Sequence, residues 1–190
     1  MNQYPVLFIS FKDAEGENFE DAYKMLEYCL ADVCKESIPI INNASVDNDD
    51  KQLFLRLKAK TAAIDEVKYS LKTLTRILSA IYGKKVILLI DEYDVPLAHA
   101  AEKDSAQNNY YTKMLDVMRA IMSTALKDNE YLQCAVITGC LKITKESIFT
   151  GTNNFVSYSV LDEDFSSYFG FTEDEVDTML GVDVHGSVIL

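Results

Sequence analysis

The chain has 190 residues, of which 48% are hydrophobic and 11% aromatic, so it is long enough for one globular domain with a sizeable core. Its 18 basic and 30 acidic residues give a formal net charge of -12, which opposes binding of this segment to nucleic acid or to an anionic membrane. The sequence shows no apolar stretch of membrane-spanning length and no signal-peptide pattern, and we therefore expect a cytoplasmic protein without a membrane partner.

The first half of the chain predicts one strand followed by helices. The short apolar run Tyr4 to Phe11 predicts a buried strand. Phe19 to Glu36 repeats its apolar residues at intervals of three and four, which predicts an amphipathic helix. A loop rich in Asn and Asp then leads to a helical region at Gln52 to Lys60. A longer helix is predicted from Ala63 to Tyr82, with Gly83 as its C-cap.

The second half predicts two further strands. The run Lys85 to Asp91 predicts a second strand, Tyr110 to Lys127 a helix, and Leu132 to Gly139 a third strand. A last helix begins in "FTEDEVDTML", with Thr172 and Glu175 as a capping box. Strands that alternate with long helices predict an α/β fold with a parallel sheet covered on both faces.

The four cysteines and two histidines show neither a C-x-x-C pair nor the spacing of a zinc site. We therefore expect neither a metal site built from these residues nor a disulfide framework.

Two adjacent carboxylates, Asp91 and Glu92, follow the apolar run "VILLI". Ligands of open parallel sheets bind beyond the carboxyl ends of the strands, which is where these two residues fall. An apolar strand that ends in Asp-Glu is the Walker B pattern, in which the Asp helps to hold Mg²⁺ and the Glu can polarise the attacking water. The alternative interpretation is that both acids only cap the turn or helix that follows the strand.

The longer motif "VILLIDEYDVPL" resembles the bacterial AAA-ATPase-like family, whose members are often joined to a PD-(D/E)XK nuclease-like domain. The segments "YPVLFISFKD", "STALKDNEYL", "AVITGCLKITKESIFTGTNN" and "DEDFSSYFGFTEDEV" resemble that family in the same order, to about Leu180. The resemblance implies a partial P-loop NTPase fold, a three-layer sandwich around a mainly parallel sheet, at residues 1–170. It also implies that residues 171–190 begin a helical subdomain.

The resemblance further implies a site for Mg²⁺ and ATP. Asp91 would be the Mg²⁺ ligand and Glu92 the catalytic base. Thr138, in "AVITG", would lie near the position that senses the γ-phosphate. Lys142 stands where the family usually has Arg, so it keeps the positive charge without the guanidinium fork that binds phosphate in a bidentate manner.

The sequence departs from that family in lacking the phosphate-binding P-loop, G-x-x-x-x-G-K-[ST]. Its one Gly-Lys pair, Gly83-Lys84, precedes the second strand and is predicted to be a helix-to-strand turn. In the family, the P-loop precedes the segment that resembles Tyr4 to Phe11. We therefore expect a fragment that lacks the first strand, the P-loop and the family's C-terminal region.

Two functions remain open from the sequence. The chain is either a fragment of an ATPase that does not hydrolyse ATP on its own, or a non-catalytic interaction module that binds a protein partner or a second copy. A DExD-type helicase is disfavoured because "VITG" stands where such cores carry Ser-Ala-Thr. A nuclease is disfavoured because no acid pair is followed by Glu-x-Lys on a predicted core strand.

Overall fold

The computed structural model describes residues 3–36, 43–105, 108–140, 148–149, 156–159, 162 and 170–180. The chain divides into two units, Met1–Thr152 and Asn153–Leu190, and the predicted boundary between residues 170 and 171 stays a prediction. The second unit contains helix α7 (Glu173–Leu180). The described elements of the first unit are, in chain order, β1 (Val6–Ser10), α1 (Phe19–Glu36), α2 (Asn48–Ala59), α3 (Ile64–Lys68), α4 (Ser70–Tyr82), β2 (Val86–Asp91), α5 (Val95–Lys103), α6 (Tyr110–Leu126) and β3 (Leu132–Ile137).

The three strands form one parallel sheet in the order β1-β2-β3, which confirms the α/β class. Helices α1 to α4 connect β1 to β2, and α5 and α6 connect β2 to β3. Connections between parallel strands are right-handed in nearly all proteins. Because both connections step across the sheet in the same direction, this rule places both groups of helices on the same face.

Burial of the strand residues agrees with that placement. Leu7 and Ile9 of β1 and Leu88 of β2 are at most 3% exposed, and they face the helices. Residues of the opposite face, which we call the open face, are far more accessible: Val6 is 52%, Phe8 55% and Val136 54% exposed. The described residues therefore cover one face of the sheet. The second helical layer of the predicted sandwich is not found among them.

The prediction of a single helix from Ala63 to Tyr82 is wrong in one respect, because the structure divides this segment into α3 and α4 at Tyr69. The Thr124 hydroxyl on α6 donates a hydrogen bond of 2.7 Å to the carbonyl oxygen of Lys68. This contact gives that carbonyl a tertiary partner at the break. The predicted C-cap is confirmed, because Gly83 has a φ of 62° and ends α4 in the left-handed conformation.

The capping box predicted at the last helix is also confirmed. The backbone N–H of Thr172 donates to the Glu175 carboxylate at 2.8 Å, and the N–H of Glu175 donates to the Thr172 hydroxyl at 3.3 Å. The first of these bonds lowers the pKa of Glu175. Helix α7 therefore begins where the sequence predicts. Of the helices that the structure describes, none has the length and apolar character to cross a bilayer.

Two cysteines provide a chemical test of the open face. Cys134 lies on that face beside Ile87 and is exposed, whereas Cys34 is fully buried in the helical layer, where burial raises its pKa to about 12. The thiolate is the reactive form, and a thiol of this pKa is ionised in only about one molecule in 10⁴ at pH 8. We therefore expect iodoacetamide to modify Cys134 in the folded chain and Cys34 only after unfolding.

Peptide mass spectrometry after a short exposure to the reagent would measure both sites separately. Cys134→Ser is the control that removes the site on the open face without changing the buried one; Cys140 is also exposed and is followed as a separate peptide. Protection of Cys134 in the folded chain would mean that the open face is covered in solution.

Candidate functional site

Asp91 is the last residue of β2, the central strand of the sheet. Side chains of a strand alternate between its two faces, so Asp91 lies on the open face, as Ile87 and Leu89 do. The carbonyl of Asp91 accepts a hydrogen bond of 3.0 Å from the backbone N–H of Phe11, which ties this end of β2 to β1. The carboxylate is thus held at the carboxyl edge of the sheet and is partly accessible.

Thr138 directly follows β3 and meets Asp91 across the sheet edge. Its hydroxyl donates a 2.5 Å hydrogen bond to the Asp91 carboxylate, and its backbone N–H donates at 2.9 Å to the carbonyl of Ile90. The fold therefore brings together two of the residues that the sequence singled out, although they are 47 positions apart. The bond also orients one carboxylate oxygen toward Thr138.

Glu92 occupies a left-handed backbone conformation, with a φ of 53°. For a residue with a side chain, this conformation costs about 1–2 kcal/mol and persists only where the surroundings impose it. Here the chain turns sharply between β2 and α5, and the N–H of Val95 donates to the carbonyl of Glu92 at 3.2 Å. Such strained residues cluster at functional sites. The Glu92 side chain is half-buried beside Asp91.

The turn after β2 packs closely against the end of β3, a feature that the sequence did not predict. Asp94 is only 2% exposed, and the N–H of Tyr93 donates to the carbonyl of Thr138 at 3.3 Å. A Cβ atom at Gly139 would overlap the Asp94 carboxylate and would come within 2.7 Å of the Tyr93 ring. The Tyr93 ring also contacts the ring of Phe149, with centroids 5.5 Å apart. The residues "DEYD" and the glycine of "VITG" form this contact, but such residues are too common in loops to predict it.

Helix α5 was not predicted and begins directly after this turn. Asp94 is its N-cap residue, and Pro96 lies in its first turn, where the missing N–H of proline costs no helical hydrogen bond. The helix therefore points the positive end of its dipole toward the turn.

The loop between β1 and α1 borders the same edge of the sheet and is held to α5 by two side-chain contacts. His99 contacts Glu15, and the Lys103 ammonium lies 2.8 Å from the Glu17 carboxylate. The hydrogen bond from Lys103 lowers the pKa of Glu17. Both pairs are accessible to solvent, so their contribution to stability is small, but they tether the loop to α5.

The site can supply carboxylate oxygens to a hard cation, but not a whole coordination sphere. Among the described residues, no group of three or more His, Cys, Asp or Glu side chains is placed to hold a metal ion. Mg²⁺ is commonly bound by one or two carboxylates together with waters and phosphate oxygens of a nucleotide. Asp91 and Glu92 fit that partial role. Lys142, the remaining predicted phosphate contact, lies outside the described residues.

Comparison with known proteins gives a family for most of the chain. Residues 1–149 match the model of the AAA-ATPase-like family, described as a predicted AAA-ATPase. This range contains Asp91, Glu92, Thr138 and Lys142. It ends before the last segments that carry the predicted resemblance, so the likeness of residues 150–180 stays a prediction.

One curated relative is an uncharacterized protein in the vnfD 5′ region of Azotobacter chroococcum mcd 1. It is 29% identical to this chain over 104 residues, which is 55% of this chain and 19% of the relative. The matching region thus spans about a fifth of that longer protein. No solved structure matches the chain significantly.

Proposed function

Because the chain belongs to the AAA-ATPase-like family, we propose that it provides the Mg²⁺-binding and water-activating side of an ATP-hydrolysing site. Asp91 holds the Mg²⁺ that accompanies ATP, and Glu92 is the base that orients the attacking water. Thr138 positions the Asp91 carboxylate and lies near the γ-phosphate. The observation that carries this proposal is the hydrogen bond of 2.5 Å between Thr138 and Asp91 at the end of the central strand.

The groups that bind the phosphates in this site come from a segment outside the present sequence. A P-loop supplies backbone N–H groups and a Lys to the phosphates, contacts that are worth several kcal/mol in such sites. In the described part of the chain, β3 pairs only with β2, so its other edge is available to a further strand. In the assembled protein, Lys142 adds positive charge near the phosphates. Without the P-loop, the chain binds Mg²⁺·ATP weakly and does not turn it over.

A fusion tests this division of roles. The P-loop segment of a longer family member is joined in front of Met1, and binding of Mn²⁺·ATP is measured by calorimetry for the fused and the original chain. Asp91→Asn in the fused chain is expected to weaken binding about 10- to 100-fold, since one contact to a charged group contributes roughly 1.5–3 kcal/mol. The matched control is Asp32→Asn on α1, where the side chain is 65% exposed.

Two results would contradict the proposal. Unchanged Mn²⁺·ATP affinity in Asp91→Asn would exclude Asp91 as the Mg²⁺ ligand. Robust ATP hydrolysis by the original chain, lost in Glu92→Gln, would exclude the need for an added P-loop.

A second candidate function is a non-catalytic interaction module derived from the ATPase fold. It is favoured by the open face, where the apolar residues Val6, Phe8 and Val136 are each more than half exposed. Large exposed apolar patches are typical of protein interaction sites. The partner would be another protein or a second copy of this chain, and the net charge of -12 disfavours nucleic acid. Defined complexes together with unchanged nucleotide binding in Asp91→Asn would favour this function over the ATPase.

A further inference from the structure

The buried carboxylate of Asp94 lies where two short segments of the site meet. One segment is the turn of residues 92–94, which contains the strained Glu92. The other is the pair of residues that directly follow β3, Thr138 and Gly139. Asp94 is 2% exposed, and its carboxylate lies against Gly139 instead of bonding to the first turn of α5.

We propose that Asp94 is a positioning residue for this site. Its carboxylate holds the turn against the end of β3, and thereby keeps Glu92 in its left-handed conformation and Thr138 within reach of Asp91. The consequence for Mg²⁺·ATP rests on the proposed function, whereas the effect on the backbone does not.

Three backbone hydrogen bonds belong to the two segments between which Asp94 lies. The N–H of Tyr93 donates to the carbonyl of Thr138 at 3.3 Å, and the N–H of Thr138 donates to the carbonyl of Ile90 at 2.9 Å. The carbonyl of Asp94 itself accepts from the N–H of Ala98 at 2.8 Å, which starts α5. Asp94 therefore belongs to the turn, to the helix that follows it, and to the surface that faces β3.

The size and charge of Asp94 both fit this position. Gly139 leaves room for the carboxylate, since any Cβ there would overlap it. A carboxylate taken out of water costs free energy unless nearby dipoles or donors stabilise it. The N-terminal end of α5 provides such a dipole, because Asp94 directly precedes the helix. Asn has nearly the same shape but no charge, so Asp94→Asn tests the charge without leaving a cavity.

Amide hydrogen exchange tests the effect on the backbone. In Asp94→Asn, exchange at the N–H groups of Tyr93 and Thr138 is expected to be at least about tenfold faster, because a local opening of this junction exposes both. Exchange at Phe11, which bonds to Asp91 on the other side of β2, is expected to stay unchanged. Asp32→Asn is the matched control. If Asp94→Asn does not fold, Gly139→Ala disturbs the same contact from the segment after β3 and serves as the second variant.

Binding of Mn²⁺·ATP to the fused chain, measured well below the unfolding temperature, separates positioning from mere stabilisation. Asp94→Asn is expected to weaken binding by about tenfold, the equivalent of 1.4 kcal/mol. Unchanged exchange at Tyr93 and Thr138 would overturn the proposal. Faster exchange in Asp94→Asn with unchanged Mn²⁺·ATP affinity would also overturn it, if Asp91→Asn weakens binding to the same fused chain. Unchanged Mn²⁺·ATP affinity of the Asp91→Asn variant would instead overturn the proposed function. The effect of Asp94 on the backbone would then be judged by hydrogen exchange alone.

Discussion

Glu92→Gln is expected to slow ATP hydrolysis by the chain fused to a P-loop about 10²–10⁴-fold, the range that a general base contributes to such reactions. Gln keeps the size of the side chain and can still orient a water through hydrogen bonds, but it cannot accept a proton. Affinity for Mn²⁺·ATP is expected to stay within about threefold, because the bound nucleotide does not need the base. Steady-state turnover and calorimetry measure the two quantities separately.

Glu102→Gln provides the matched control, since Glu102 is an exposed residue of α5 away from the turn. Its turnover is expected to equal that of the unsubstituted fusion. Turnover of Glu92→Gln within about tenfold of that value would exclude a role as general base. A parallel loss of Mn²⁺·ATP affinity would make Glu92 a ligand of the metal instead.

The location of the candidate residues Asp91 and Glu92 could be predicted because it follows from where the apolar run ends. An apolar run that ends in Asp91-Glu92 places both residues at the carboxyl edge of a parallel sheet, and the structure places them there. The family resemblance singled out Thr138 as a residue near the γ-phosphate, and that role stays a prediction. The structure adds a direct hydrogen bond from Thr138 to Asp91. The local pattern of apolar residues likewise predicted the bounds of α1, because amphipathic periodicity is a property of neighbouring residues.

Features that depend on distant contacts could not be predicted. The break between α3 and α4 involves Thr124, which bonds to the carbonyl of Lys68 from a position 56 residues away. The left-handed Glu92 and the burial of Asp94 depend on how closely Gly139 approaches the turn. No local pattern records that approach, because a glycine and an aspartate are common in any loop.

The prediction of a sheet covered on both faces likewise came from a local pattern of apolar residues. Apolar residues fill both faces of β2, which is typical of a strand buried on both sides. Whether helices cover both faces depends on strand order, and the order β1-β2-β3 puts both connections on one face. The apolar character of Ile87 and Leu89 therefore indicates that the open face is suited to contact with a further part of a longer protein or with a partner.

Two neighbouring leucines of β2 measure how far the open face is covered in solution. Leu88 is fully buried against the helices, whereas Leu89 is half-buried on the open face. Leu88→Ala is expected to lower the free energy of unfolding by about 2–5 kcal/mol, because it removes buried methyl groups and leaves a cavity. Leu89→Ala is expected to cost less than about 1.5 kcal/mol, since much of that side chain is already in contact with water. Urea unfolding of both variants gives the comparison within one strand.

An equal cost at both positions would contradict the description of the sheet as open. The face would then be covered in the folded state, and the dependence of the unfolding midpoint on chain concentration would identify the cover. A midpoint that rises with concentration means that a second copy binds there, because association stabilises the folded state by mass action. A midpoint independent of concentration means that the cover comes from the chain itself. A small cost at Leu89 leaves this face available for a further part of a longer protein or for a partner.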